Sequence, residues 1–149
     1  MVIRVIVAAS LVLLITTAQA SQQFKDWEVD RTLASSSLSY DKNGNAGFAA
    51  FIINKADNTM QIGYVIRDNK CSSETDAVDT VMNVDGQSVK ATTYCLSKGS
   101  RKVMAQTSAG MRYIGTKFLK QTTVSMNGVI FSARGFSEAY RQAGRNSAF

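Results

Sequence analysis

The side chains of this sequence that could carry out chemistry are mainly carboxylates. Two close groups lie between residues 26 and 79: Asp26, Glu28 and Asp30, then Glu74, Asp76 and Asp79. Neither group has the ordered oxygen spacing of an EF-hand calcium loop, so we expect no metal site. Two facing carboxylates can also hydrolyse glycosidic bonds, and this alternative stays open because their separation depends on the fold. The remaining interpretation has no function attached to it: carboxylates two residues apart on a strand share one face and usually stay in contact with solvent.

Histidine is absent from the chain. This absence removes the commonest general base and the commonest metal ligand near neutral pH. Ser-His-Asp and Cys-His catalytic sites are therefore excluded, as are zinc sites built from histidine. An enzyme would have to rely on carboxylates, Lys or Tyr. We expect a non-enzymatic protein with no cofactor.

The first 20 residues have the pattern of a cleavable secretory signal. Arg4 supplies a positive charge, residues 5–17 are mostly apolar, and Ala18-Gln19-Ala20 is a small-residue cleavage site. The apolar stretch is shorter than the roughly 20 residues that span a bilayer, which favours cleavage over an anchor. We expect residues 21–149 to form one periplasmic or secreted domain without a transmembrane segment.

Cys71 and Cys95 are the only cysteines. Export would place them in a compartment where disulfides persist, so we expect them to be paired. A bond that closes this loop should stabilise the domain by roughly 3–4 kcal/mol. The alternative is a redox or metal-binding pair, but such pairs are usually closer together in sequence.

Positive charge is concentrated in the second half of the chain. Residues 21–85 have six Lys or Arg against ten Asp or Glu, whereas residues 86–149 have ten against one. We predict a basic binding surface formed by Arg101, Lys102, Arg112, Lys117 and Lys120. Its partner would be an anionic envelope component, since export makes nucleic acid an unsuitable partner. The alternative is an ordinary solvated strand face, with the charges of the two halves mixed in the fold.

Two dipeptides predict tight hairpins. Asp85-Gly86 and Asn127-Gly128 each separate two β-rich runs, and both pairs favour a type I′ turn, which requires positive φ at its two central residues. A turn centred on Asp85-Gly86 places Val84 opposite Gln87 and Val78 near Thr93. Cys95 then lies just beyond the base of the hairpin, where it can reach Cys71.

Other segments are assigned from their hydrophobic period. Residues 24–33 alternate with Trp27 on the apolar side, which predicts one half-buried strand with Trp27 in the core. Residues 47–53 are continuously apolar, which predicts a well-buried strand that forms a hairpin with residues 59–67. Residues 100–110 predict a short helix, with a strand as the alternative, and residues 111–119 predict a strand. Residues 135–143 predict a helix with one apolar stripe.

Two segments resemble the invasion-associated locus B family. Asp26-Trp27-Glu28-Val29 is similar to the opening strand of that family, and Ser132-Ala133-Arg134-Gly135-Phe136 resembles its Ser-x-x-Gly-Phe element before a terminal helix. The resemblance implies a periplasmic or secreted β-sandwich-like domain, associated with the envelope or with host-cell interaction and without catalysis. It implies no site residues. Two further cysteines that family members usually carry are absent here.

The sequence therefore predicts an antiparallel β-sandwich or barrel-like domain with a short C-terminal helix. We expect an exported interaction protein of the bacterial envelope or the extracellular space, associated with virulence or invasion. Its partner would be a protein or an anionic envelope component. Two alternatives are a secreted inhibitor or immunity-type protein that binds an enzyme, and a carboxylate-dependent hydrolase.

Overall fold

The computed structural model describes residues 20–53 and 59–147, so the predicted signal lies outside the described residues apart from Ala20. The described strands are β1 Gln22–Phe24, β2 Trp27–Asp30, β3 Leu33–Ser36, β4 Ser39–Tyr40, β5 Ala46–Ile53, β6 Met60–Arg67, β7 Val78–Val84, β8 Gln87–Ser97, β9 Ser100–Ala105, β10 Thr123–Met126 and β11 Val129–Ser132. The helices are α1 Ser108–Lys120 and α2 Phe136–Ser147. The prediction of a mostly antiparallel β fold with a short C-terminal helix is confirmed. Neither of these two helices is long and apolar enough to cross a membrane.

Both hairpins predicted from the turn dipeptides are present. Asp85 and Gly86 have φ values of 49° and 89°, and Asn127 and Gly128 have 49° and 81°. In the β7–β8 hairpin, residue 84 is opposite residue 87 and residue 78 is opposite residue 93, as the turn position predicts. These turns fix the register of four strands because each central residue adopts the left-handed conformation that the type I′ turn needs.

The sheet curls until its two ends meet. Its strand order is β1-β2-β3-β5-β6-β9-β8-β7-β10-β11, with β4 paired to β5. The backbone N–H of Asp26 donates to the Arg134 carbonyl at 3.2 Å. The Trp27 indole N–H donates to the Ser132 carbonyl at 2.9 Å, and the Ser132 hydroxyl donates to the Asp26 carboxylate at 2.7 Å. The amino end of the sheet is thus joined to the last residue of β11 and to the chain just after it.

The prediction of one strand over residues 24–33 is wrong. Three short strands, β1 to β3, occupy this region and its continuation to Ser36. The chain reverses at Lys25 and Arg31, whose φ values are 52° and 56°. Alternation nevertheless persists within β2, where Trp27 and Val29 are buried and the acidic residues between and after them are exposed.

The two segments between the hairpins have the opposite structures to those predicted. Residues 100–105 form strand β9, which pairs with β6 on one side and β8 on the other, so the strand alternative is correct. Residues 108–120 form helix α1, so the prediction of a strand over residues 111–119 is wrong. The Thr107 side chain caps the helix by accepting a hydrogen bond from the backbone N–H of Gly110.

Four aromatic rings form the centre of the core beneath the helices. Trp27 lies 5.0 Å from Phe136, 5.4 Å from Phe118 and 5.9 Å from Phe51, measured between ring centroids. These rings come from β2, α2, α1 and β5, so each helix contributes one anchor to the sheet. The expectation that Trp27 is a core residue is confirmed, since its side chain is fully buried.

The predicted disulfide is also confirmed. Cys71 and Cys95 are bonded, with their Cα atoms 5.5 Å apart, and both side chains are buried. The bond ties the loop before β7 to the last part of β8. Thr75 reinforces this attachment because its backbone N–H donates to the Cys95 carbonyl and its hydroxyl accepts from the Cys95 N–H.

Candidate functional site

An apolar groove crosses the outer face of the sheet, the face turned away from the helices. Neighbouring strands β3, β5, β6 and β9 form it with the side chains that alternate with the buried ones. The groove encloses about 210 Å³. Its outward-facing residues are Leu33, Ala50, Ile52, Gln61, Gly63, Val65, Lys102 and Met104. We call this set the outer groove.

Small residues create the depression at the centre of the outer groove. Gly63 lies between Ala50 of β5 and Met104 of β9 in the paired strands. A Cβ atom on Gly63 would collide with the carbonyl oxygen of Val103, so a glycine is required for the two strands to approach this closely. The larger side chains around this point therefore stand above a floor made largely of backbone.

The walls of the groove expose apolar area to solvent. Leu33 is 42% exposed and Ile52 is 37% exposed. The prediction that residues 47–53 form a well-buried strand is therefore correct for one face only, where Ala49 and Phe51 are buried. The continuous apolar run was the signal for this surface, because apolar residues on the second face indicate a second layer, which the described residues do not supply.

Among the residues that the structure describes, Lys102 is the one charged residue that lines the outer groove. It lies beside Val65 on β6 and Tyr94 on β8 in the paired strands. Its ammonium nitrogen is 5.9 Å from the centroid of the Tyr94 ring, a distance that suits a cation–π contact. The groove therefore combines apolar walls with the positive charge of Lys102 at its rim.

Arg101 and Lys102 are adjacent in sequence but project to opposite faces of β9. Arg101 shares its face with the buried residues Val103 and Ala105. Its guanidinium donates to the Asp68 carboxylate at 2.6 Å, which forms a partly exposed ion pair. The positive charge of Arg101 is thus neutralised within the chain.

The other three predicted basic residues lie together on α1. Arg112 and Lys120 are exposed, whereas Lys117 is half-buried, 3.9 Å from the Asp85 carboxylate and 5.4 Å from the centroid of the Tyr113 ring. Since α1 packs on the inner face, these residues are separated by the sheet from Lys102. The five residues therefore occupy two faces, and their joint binding role remains a prediction.

Two carboxylates, Asp41 and Asp68, line another surface groove. Hydrogen bonds from the backbone and side-chain amides of Asn45 hold the pKa of Asp41 below its ordinary value of 3.8. The hydrogen bond from Arg101 does the same to the pKa of Asp68. Both groups are ionised at neutral pH, so neither supplies the protonated acid that glycoside hydrolysis needs.

The carboxylates of the two predicted acidic groups do not converge. Asp26 accepts the Ser132 hydroxyl, while Glu28 and Asp30 are exposed on β2. Glu74 and Asp76 are exposed in the loop before β7, and Asp79 on β7 accepts a hydrogen bond from the Gln106 side chain. Within residues 20–53 and 59–147, no three His, Cys, Asp or Glu side chains are grouped so that they could hold a metal ion.

Comparison with known proteins identifies no relative of this chain. No protein family, no curated protein and no solved structure matches it. The resemblance to the invasion-associated locus B family therefore stays a prediction, and the function is inferred from the geometry of the surface.

Proposed function

We propose that this chain is an exported, non-enzymatic binding protein that acts in the periplasm or outside the cell and holds a protein partner in the outer groove. The observation that carries the proposal is the apolar lining of this groove with Lys102 at its rim. Contiguous apolar surface bordered by polar groups is characteristic of interaction sites.

The size and charge of the groove define the chemistry of the partner. Its 210 Å³ is below the range of about 300–1,000 Å³ that holds a drug-sized ligand, so it suits individual side chains of a protein. An aliphatic or aromatic side chain would contact Ile52 and Met104. A neighbouring carboxylate of the partner would pair with Lys102, since this cation has no acidic partner among the described ion pairs.

The absence of enzymatic activity is part of the proposal. The chain contains no histidine, and the two carboxylates that share a groove, Asp41 and Asp68, are both held in their ionised form. Paired groups of opposite protonation state are the usual requirement for acid–base catalysis by carboxylates. These observations favour binding over hydrolysis.

Export is supported by the sequence signal and by the disulfide. Residues 1–20 have the pattern of a secretory signal, and the Cys71–Cys95 bond is of the kind that persists in oxidising compartments. An anionic envelope component remains the alternative partner. It would bind to the exposed basic residues of α1, Arg112 and Lys120, rather than to the outer groove.

The resemblance to the invasion-associated locus B family supports an envelope-associated role. The two segments that carry the resemblance contact each other, since the Trp27 indole donates to the Ser132 carbonyl and the Ser132 hydroxyl donates to the Asp26 carboxylate. They therefore form one structural unit. Because the resemblance implies host-cell interaction, we include a role in contact with host cells in the proposal.

The proposal is tested by capture from the envelope fraction of the producing organism. The exported protein is immobilised, and captured proteins are identified by mass spectrometry across a salt titration. We expect a protein partner that is retained at about 0.5 M salt, because an apolar contact is not screened. Loss of all capture at moderate salt would instead assign binding to the basic residues.

Two exposed isoleucines provide a matched pair of variants. Ile52→Lys introduces a charge at the wall of the groove, whereas Ile130→Lys makes the same change on β11, where Ile130 is 61% exposed. Ile52→Lys should abolish capture of the partner, and Ile130→Lys should retain it. Equal capture by both variants contradicts the assignment of the outer groove.

A further inference from the structure

Strand β7 is paired along its whole length on one side only. All seven of its residues are opposite residues of β8. On the other side, β10 is paired with it at a single position, Met126 with Val84. The β10–β11 hairpin therefore overlaps only the tip of the β7–β8 hairpin, and no other described strand pairs with the segment from Val78 to Met82. We call this segment the open edge of β7.

The backbone groups of this edge have a known direction. In an antiparallel ladder, alternate residues direct both their N–H and C=O groups to the same neighbour. Asn83 directs both groups toward the β10 side, because its carbonyl accepts from the Asn127 N–H and its N–H donates to the Asn127 side chain. By the same alternation, Asp79 and Val81 direct their N–H and C=O groups to the open side.

These outward groups have no partner among the described residues. No strand pairing or other hydrogen bond of the described chain uses the backbone N–H or C=O of Asp79 or Val81 on that side. Val78 is 58% exposed and Val81 is 60% exposed, so the described chain leaves both faces of the strand accessible at these positions. Edge strands of this kind accept an added strand.

The charges around the edge select one class of occupant. Glu74, Asp76 and Asp79 are exposed at or just before its start. None of them belongs to an ion pair in the described part of the chain, and the Asp79 carboxylate accepts one hydrogen bond, from the Gln106 side-chain amide at 2.8 Å. Lys90 is next to Val81, but it belongs to β8 on the closed side. A second copy of the chain would place two such acidic edges against each other, which is unfavourable.

We propose that the open edge of β7 binds an extended peptide segment of a partner protein that carries Lys or Arg residues, by strand addition to Asp79 and Val81. Four backbone hydrogen bonds would hold the added strand, two at each of these residues. The carboxylates of Glu74, Asp76 and Asp79 would contact its basic side chains. This site is separate from the outer groove, so either proposal can fail without the other.

The test uses two synthetic peptides and the exported protein. One labelled peptide of about ten residues alternates Thr and Val and includes two Lys, and the second has Glu in place of Lys. Binding is followed by fluorescence anisotropy, and amide hydrogen exchange of Asp79 and Val81 is measured by NMR. We expect the basic peptide to bind and to slow exchange at both amides, and the acidic peptide to do neither.

Variants distinguish backbone pairing from a general charge effect. Val81→Pro removes an N–H that no β8 residue uses, so the fold is retained while affinity should fall about tenfold. Asp79→Lys should also weaken binding of the basic peptide, whereas Glu28→Lys makes the same charge change on β2 and should not. Thermal unfolding checks that each variant is folded. If Val81→Pro does not fold, the comparison of Asp79→Lys with Glu28→Lys tests the proposal in its place.

Three results would overturn the proposal. The first is unchanged exchange at Asp79 and Val81 with saturating basic peptide. The second is equal affinity for the basic and acidic peptides. The third is a concentration-dependent dimer, seen by light scattering, that protects both amides without peptide, because the occupant would then be a second copy of the chain.

Discussion

Asp85 and Asn127 hold each other's hairpins in place by the same arrangement of hydrogen bonds. The Asp85 N–H donates to the Ser125 carbonyl at 3.0 Å, and the Ser125 N–H donates to the Asp85 carboxylate at 2.9 Å. Likewise, the Asn127 N–H donates to the Asn83 carbonyl at 2.8 Å, and the Asn83 N–H donates to the Asn127 side-chain oxygen at 2.8 Å. Each turn residue thus caps the other hairpin.

Asn127 also reaches across the interior of the sheet. Its side-chain amide donates to the Tyr64 hydroxyl at 2.9 Å. We expect Asn127→Ala to lower the free energy of unfolding by about 2 kcal/mol, since two hydrogen bonds are lost and one partner is buried. Urea unfolding of Asn127→Ala, Tyr64→Phe and the double variant should give a coupling energy of about 1 kcal/mol. Strict additivity would contradict the contact between the two side chains.

Removal of the disulfide should destabilise the protein substantially. Cys71 and Cys95 are 24 residues apart, so the bond restricts a loop of moderate length in the unfolded chain. We expect the Cys71→Ala/Cys95→Ala variant to lose roughly 3 kcal/mol in urea unfolding. Reduced wild-type protein should unfold at about the same midpoint as this variant. An oxidised midpoint equal to the reduced one would refute the prediction.

Gly135 is required both for its backbone conformation and for space. Its φ is 91°, and a Cβ atom there would collide with the Phe24 carbonyl oxygen. Gly128 has a similar φ of 81°, but a Cβ atom there would meet open space. We expect Gly128→Ala to cost about 1 kcal/mol and Gly135→Ala to cost more than about 3 kcal/mol. Thermal unfolding of the two variants, compared directly, checks the difference.

The ion pair between Asp68 and Arg101 should make stability depend on acid pH. Because the hydrogen bond from Arg101 lowers the pKa of Asp68 in the folded state, ionised Asp68 stabilises the fold above its unfolded pKa. This contribution is lost as the pH falls below about 3.8 and through the folded pKa. We expect the wild-type protein to lose more stability than Asp68→Asn over this range. The thermal midpoint, measured against pH for both proteins, tests this expectation.

Local sequence signals predicted the hairpins, whereas tertiary contacts determine the secondary structure of the segment between them. Asp85-Gly86 and Asn127-Gly128 specify a turn through their own backbone preferences, so their registers could be derived without the fold. Residues 111–119 alternate like a strand and contain Gly115, which is a poor helix former. They form α1 because Ile114 and Phe118, four residues apart, are buried together in the core. This stabilisation comes from contacts with other parts of the chain, so the sequence of residues 111–119 alone does not reveal it.

The outer groove could not be located from the sequence, because its parts come from four strands that are distant along the chain. Leu33, Ile52 and Met104 become neighbours only through the strand order β3-β5-β6-β9. The open edge of β7 could not be located from the sequence either, because its length depends on how far the pairing with β10 extends. The sequence did contain one clue, the apolar residues on both faces of β5, which indicate more apolar surface than one layer of helices covers.

The contact between Trp27 and Ser132 determines when this protein can fold. The two residues are 105 positions apart, and Phe136 completes the same aromatic cluster. If the chain is exported as proposed, with its amino end first, the sheet cannot close until residue 136 has passed through the membrane. Closure through contacts so distant in sequence is slow, so we expect it to follow transport rather than to compete with it.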